Sequence, residues 1–209
     1  VVLAYQLWLL AHVWWWVDHN PENSAFMEQR LEVLQEKNPD AELRHRWVAY
    51  NQISPHLKRA LIASEDAKFL DHEGFDWEGI QTAWEGKVVA GGSTISQQLA
   101  KNLFLSGKRT PWRKLEEAVI TVMMEQMMSK RRIFEIYLNV IEWGNGVFGA
   151  EAASRHYYRK SARNLSPAEA AKMAAMVPNP RFYDTHRQDR RLLRKARIIQ
   201  RRMYYAEYP

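Results

Sequence analysis

SPHLKRALIASEDAKFLDHEGFD, residues 54–76, is the stretch on which the reading of the whole chain turns. Ser54 and Pro55 make an N-cap and a first helical position, Gly74 makes a stop, and the spacing between them predicts one helix. Leu57, Leu61, Glu65 and Phe69 recur every four residues, which places Glu65 on the apolar face with Asp66 at its shoulder. Desolvation there would raise the pKa of Glu65 and suit it to general base or acid work near neutral pH. A carboxylate neutralised by a buried Arg or Lys, serving only to organise the fold, satisfies the same periodicity. His72 reads as a helix-end hydrogen-bonding group.

Next along the chain, GGSTISQQLAKNLFLSGKRTPWRKLEE, residues 91–117, holds two helix starts. Thr94 and Gln97 spell a capping box after the Gly91-Gly92 turn, and Ile95, Leu99 and Leu103 form a buried stripe that leaves Gln98 and Lys101 facing elsewhere. Thr110 and Pro111 start a second helix whose first turn carries Arg113 and Lys114, with Arg109 just before it. Cations at that end oppose the helix dipole at a cost of roughly 0.3–1 kcal/mol each, so three together point to a bound phosphate or diphosphate. A solvated basic face is the plainer reading of any charge run. Glu117 weighs against it, because it stands one turn beyond Arg113 and meets the apolar run AVITVMM.

The 209 residues suit one domain with a sizeable core. The formal charge of +6 fits nucleic acid, an anionic membrane surface or a phosphorylated substrate, and no recognised nucleic-acid module is present. Zero cysteines exclude disulfides, thiol nucleophiles and thiolate metal sites, and the seven histidines show no ligand-pair spacing for zinc. Of nine tryptophans, Trp8, Trp14, Trp15 and Trp16 fall in the first seventeen residues. Residues 1–17 carry no formal charge, would span roughly 25 Å as a helix, and end in an aromatic belt. They are expected to be a transmembrane anchor whose basic cytoplasmic flank lies upstream of Val1, with 18–25 a linker and 26–209 the catalytic domain. A buried or interfacial amphipathic helix is the alternative, favoured by Gln6 and His12.

Elsewhere apolar residues recur at three and four, so the chain reads as overwhelmingly helical. Residues 42–53 allow one short strand. Residues 129–141 form a mostly buried helix with Glu135 and Asn139 in supporting places, and the glycine-punctuated 143–149 is expected to loop toward the site. Ser166, Pro167 and Glu169 start a helix that Pro178 and Pro180 end, and 189–203 is a basic helix that presents a solvated face or touches anionic lipid. Met123, Met124, Met127 and Met128 make an adaptable apolar surface, either core or lipid-chain groove.

Taken in order, these motifs resemble glycosyltransferase family 51, and most closely its monofunctional peptidoglycan members, over nearly the whole chain. The resemblance is carried by Glu65-Asp66 with Phe69, His72, Gly74, Phe75 and Asp76. It continues through Gly91 to Gln98 with Lys101 and Asn102; through Arg113, Lys114 and Glu117; through Lys130, Ile133, Glu135, Tyr137, Leu138 and Asn139; and through Ala174 to Pro180. It implies a mainly α, lysozyme-like domain that polymerises glycan strands from lipid II at the outer face of the bacterial cytoplasmic membrane. The growing chain, held on undecaprenyl diphosphate, would pass with inversion to the 4-hydroxyl of an incoming lipid II. The resemblance implies Glu65 as general base, and Lys101, Arg109, Arg113 and Lys114 as the groups that compensate the diphosphate. Glu117 would be a second catalytic residue, assisting a divalent magnesium or manganese ion, and Ser93, Gln97, Gln98 and Asn102 would position substrate. Membrane lipids and other cell-wall synthesis proteins are the implied partners.

Two departures stand out: the connection from Trp84 to Gly91 is shorter than the family's by a handful of residues, and Arg159 stands where the family often places a small one. A lysozyme-type or lytic glycan-cleaving enzyme is the nearest competing reading, and it has no diphosphate to occupy the basic cluster. A non-catalytic membrane-tethered scaffold would not need an acid on an apolar helix face. A peptide-crosslinking domain is excluded, since neither Ser-x-x-Lys nor Lys-Thr-Gly occurs.

Overall fold

The computed structural model describes residues 2–84, 93–105 and 110–209. Within them the order is α1 (Val2–Trp15), α2 (Ala25–Gln35), β1 (Arg44–His45), α3 (Pro55–Glu65), α4 (Trp77–Trp84), α5 (Ile95–Phe104), α6 (Pro111–Met127) and α7 (Lys130–Val140). The chain continues through β2 (Glu142–Gly144), β3 (Val147–Phe148), α8 (Ala150–Tyr158), α9 (Pro167–Met176), α10 (Pro180–Thr185) and α11 (Arg190–Arg202). The expected mainly helical architecture is present.

The helix starts are set by the caps that the sequence spells. Ser54 Oγ accepts from His56 N at α3, and Thr110 Oγ1 accepts from Arg113 N at α6. Reciprocal boxes close α5 (Thr94 with Gln97) and α9 (Ser166 with Glu169). Each cap pairs an N–H that has no partner inside its helix and is worth about 1 kcal/mol.

Residues 54–76 are not one helix. α3 stops at Glu65, and Asp66 leaves helical space with φ −162° and ψ 78°. The break lets the Asp66 carboxylate reach Ile95 N and His72 Nε2, both at 2.9 Å. Phe69 therefore enters the core from the turn beyond the helix, packing on Phe134 with 5.7 Å between ring centroids. Gly74 ends this turn at φ +89°, where an added Cβ would lie 2.7 Å from Thr121 Cγ2.

One core joins the helices: α3 packs on α9 and α11, and α5 packs on α6 and α7. Trp143, Tyr137, Phe69, Phe134 and Phe148 are its largest fully buried side chains. Burying such a ring contributes on the order of 1.5–3 kcal/mol, which outweighs any one cap. Residues 143–149 are not a loop. β2 and β3 form an antiparallel hairpin through Asn145 and Gly146, the latter at φ +74°, and β3 pairs in parallel with β1. Buried Asn139 clamps the approach to α3 by accepting from Val48 N at 3.0 Å and donating to Val48 O at 3.1 Å. Arg30 of α2 donates twice to Glu142 of β2, at 2.7 and 3.3 Å.

The N-terminal helix is shorter than the anchor expected at 1–17, and no helix among the described residues is long and apolar enough to cross a membrane. Leu9 and Val13 of α1 are fully buried, and α1 packs on α6. Its other faces expose Val2, Leu3, Leu7, Trp8, Trp14 and Trp15. Arg132 of α7 donates to Trp16 O at 2.9 Å, His19 O at 2.6 Å and Asn20 Oδ1 at 3.0 Å. The stretch read as a linker is thus tied to the domain.

Arg159 caps α8 in the left-handed region, at φ +57° and ψ 29°. That geometry accounts for the small residue expected there, because a Cβ costs about 1–2 kcal/mol in this conformation. Arg159→Gly removes the strain but gives the unfolded chain more freedom. We expect it to raise stability by about 0.5–1 kcal/mol in urea unfolding, whereas a loss would show that the Arg159 side chain supports the native state.

Candidate active site

The end of α3 meets the first turns of α5, and Asp66 sets the join. Its carboxylate, about 4% exposed, accepts from Ile95 N at the start of α5 and from His72. Gly74 N donates to His72 Nδ1 at 3.1 Å, which leaves the ring proton on Nε2, aimed at Asp66. Thr94 Oγ1 donates to Gly74 O at 2.7 Å and closes the same turn against α5.

Glu65 does not project into an apolar wall as its spacing from Leu57 and Leu61 predicts. As the last residue of α3 it clears that stripe and sits among polar groups, its side chain about 10% exposed. Ser64 Oγ donates to Oε1 at 2.8 Å, and Gln98 Nε2 donates to Oε2 at 3.3 Å. Lys195 Nζ of α11 lies 3.7 Å from Oε1 and is itself about 39% exposed, which makes the pair a weak, screened one. Gln98 is in turn oriented by Tyr137, whose hydroxyl donates to Oε1 at 3.0 Å. Burial first, and then the charges of Glu65 and Asp66, push the Tyr137 phenol well above its usual range, so it remains a donor. With Tyr137 holding its oxygen, the Gln98 carboxamide presents its NH2 to Glu65 and to Ser93 O. The result is a mostly covered carboxylate held by neutral donors, able to receive a proton from a bound hydroxyl.

The predicted cations divide. Arg113 and Lys114 occupy the first turn of α6, and Lys101 lies half-buried in the last turn of α5, the helix packed on α6. Lys114 Nζ donates to buried Glu117 Oε1 at 2.5 Å. Arg109 lies outside the described residues, as do the Gly91-Gly92 turn and the short connection after Trp84. Among the described residues no three His, Cys, Asp or Glu side chains gather to hold a metal. Glu117 offers a single carboxylate, and Lys114 already engages its Oε1.

Of the predicted positioning residues, Gln98 touches Glu65 directly and Ser93 contributes its carbonyl to Gln98. Gln97 is placed in the capping box, its Oε1 accepting from Thr94 N at 3.0 Å. Asn102 lies half-buried on α5. Two neighbours of Glu65 escape the sequence pattern: Ser64, one more polar residue within a helix, and Lys195, in a basic run more than a hundred residues away. Tyr137 belongs to the motif at 130–139, but its spacing does not distinguish its hydroxyl from core.

A family model described as Transglycosylase matches residues 30–204. A protein named biosynthetic peptidoglycan transglycosylase from Methylobacillus flagellatus is 71% identical, with 100% of this chain and 93% of the relative covered. Proteins of the same name from Laribacter hongkongensis and Nitrosospira multiformis are 69% and 62% identical, covering 99% and 100% of this chain and 93% of each relative.

The geometry makes Asp66 a positioning residue, separate in role from Glu65. Asp66→Ala strips the Ile95 N–H and His72 of their buried acceptor, and we expect a loss of about 2–4 kcal/mol in chemical denaturation. A loss below about 0.5 kcal/mol would mean that the join between α3 and α5 does not depend on this carboxylate.

Proposed function

The chain belongs to the transglycosylase family, and on that premise we propose that Glu65 is the general base of its glycan-polymerising reaction. The protein is a peptidoglycan glycosyltransferase: it builds glycan strands at the cell envelope from a lipid-linked disaccharide. A strand-cleaving enzyme is the less favoured reading, since its bond-breaking step releases no diphosphate for the cations of α5 and α6 to receive.

In the proposed reaction the 4-hydroxyl of an incoming lipid II gives its proton to Glu65 as its oxygen attacks the anomeric carbon of the growing chain. The bond from that carbon to undecaprenyl diphosphate breaks with inversion, and the diphosphate departs with the bonding electrons. The observation that carries the assignment is the pair of neutral donors on Glu65, Ser64 Oγ and a Gln98 amide oriented by Tyr137, which aim the carboxylate while the Lys195 ammonium stays 3.7 Å away. Lys101, Arg113 and Lys114, with Arg109, are proposed to stabilise the leaving diphosphate. Glu117 holds Lys114 in place there, and it would be the residue to hold a magnesium or manganese ion, which would supply further charge compensation. Ser93, Gln97, Gln98 and Asn102 are proposed to line the substrate path.

We also propose that α1 lies in the cytoplasmic membrane, with residues 26–209 on its outer face. Support comes from the exposed Val2, Leu3, Leu7, Trp14 and Trp15, which form an apolar surface that water does not favour.

Two measurements test the site. Glu65→Gln keeps the side chain's shape, and it should lower polymerisation of purified lipid II by about 10²–10⁴-fold with folding intact; an unchanged rate and product length would sink the general-base role. Arg113→Ala should weaken binding of a diphosphate-bearing lipid by roughly tenfold or more while sparing a neutral glycan. An equal loss for both ligands would assign Arg113 to folding.

A further inference from the structure

Away from Glu65, a cavity of about 570 Å³ opens between the N-terminal half of α3, the start of α7 and residues 206–209. Three cations line it: Lys58 and Arg59 from α3 and Arg131 from α7. They are strung on two tyrosine rings. Arg131 Cζ lies 4.8 Å from the Tyr50 centroid, Lys58 Nζ lies 4.1 Å from Tyr50 and 4.9 Å from Tyr208, and Arg59 Cζ lies 5.8 Å from Tyr208.

Rings spread this charge without cancelling it. Lys58 is about 5% exposed, and its ammonium donates at 3.2 Å to a neutral acceptor, Tyr50 O. Arg59 Nε is buried and has no hydrogen-bond partner. Among the described residues no carboxylate forms an ion pair with any of the three cations, although Glu207 lines the same cavity. Burial first, and Arg131 next, hold the Lys58 ammonium below its usual range. Three like charges gathered with no ion-paired carboxylate leave a deficit that an anion would fill, which Glu207 on the cavity wall offsets only in part.

We propose that this cavity is a second anion site, separate from the catalytic one, which takes a phosphate-class oxyanion on Lys58, Arg59 and Arg131. Two guanidinium groups supply planar paired donors that match phosphate oxygens, and the buried ammonium supplies a point charge behind them. The volume exceeds that of bare phosphate and leaves room along the tyrosine rings for a larger group attached to the anion.

The test compares the full chain with two double variants, Arg59→Gln/Arg131→Gln and Arg113→Ala/Lys114→Ala, by calorimetric titration with inorganic phosphate. We expect Arg59→Gln/Arg131→Gln to bind at this site at least tenfold more weakly than the parent, while Arg113→Ala/Lys114→Ala retains the parent's affinity there. Superimposable titrations of the parent and Arg59→Gln/Arg131→Gln, or a loss confined to Arg113→Ala/Lys114→Ala, would overturn the proposal. Should the first double variant fail to fold, Arg131→Gln alone decides by the same comparison, since Arg131 is exposed. Sedimentation with phosphatidylglycerol vesicles, against phosphatidylcholine, separates the sources. Weaker capture of the variant on phosphatidylglycerol assigns a lipid headgroup, and unchanged capture with lost phosphate binding assigns a free phosphate compound. Either result upholds the site.

Discussion

One carboxylate decides how the two halves of the site meet. Asp66 accepts from the first N–H of α5 and from His72, and both bonds exist only because α3 stops one residue earlier. A buried, ionised acceptor on a helix N-terminus gains from the hydrogen bond and from the helix dipole together. That gain offsets the helical bond forgone beyond Glu65. It leaves Glu65 at the lip of α3, beside Gln98, in place of a position along the helix flank. His72 and Thr94, through Gly74, then hold the intervening turn against α5.

Helices were legible wherever a start was written into the chain. Ser54-Pro55, Thr94 with Gln97, Thr110-Pro111 and Ser166 with Glu169 all cap helices in the structure, because capping is local chemistry within four residues. Helix ends were less legible. The stop of α3 depends on Ile95, some thirty residues downstream, and no periodicity in 54–76 registers that acceptor. The hairpin at 142–148 was hidden for a related reason, since its strands are only three and two residues long and β3 also pairs with a distant β1. The apolar stripe singles out Glu65 in the sequence, but its proposed role rests on Ser64 and Gln98, which that stripe does not register.

Neighbours of Glu65 show where sequence reasoning stops. Gln98 and Tyr137 are motif positions and Ser64 adjoins one, whereas Lys195 lies outside them on α11. Tyr137 is fully buried and reads as core, yet its hydroxyl selects which end of the Gln98 amide faces Glu65. That double role appears only when three helices are assembled. At the N-terminus, likewise, the aromatic cluster was plain in the sequence but the Arg132 clamp on Trp16, His19 and Asn20 was not. With α1 fixed to α7 by that clamp and to α6 by Leu9 and Val13, its exposed apolar face cannot turn independently of the domain.

α5 is the element on which the proposed chemistry is mounted. Ten residues give it a length of roughly 15 Å, and its Ile95, Leu99 and Leu103 stripe locks it against α6 and α7. Gln98, Lys101 and Asn102 follow at spacings of three and four, so they share the opposite side. The residue that orients the proposed base and the first of the proposed diphosphate cations therefore sit one turn apart on a single rigid rod. Its N-terminal end is pinned to Glu65 through Asp66, and its flank carries α6 with Arg113, Lys114 and Glu117. A transfer reaction needs the proton acceptor and the charge that receives the leaving group at a constant separation, because the attacked carbon lies between them. Capping and burial of α5 provide that constancy without any direct bond between Glu65 and the cations of α6.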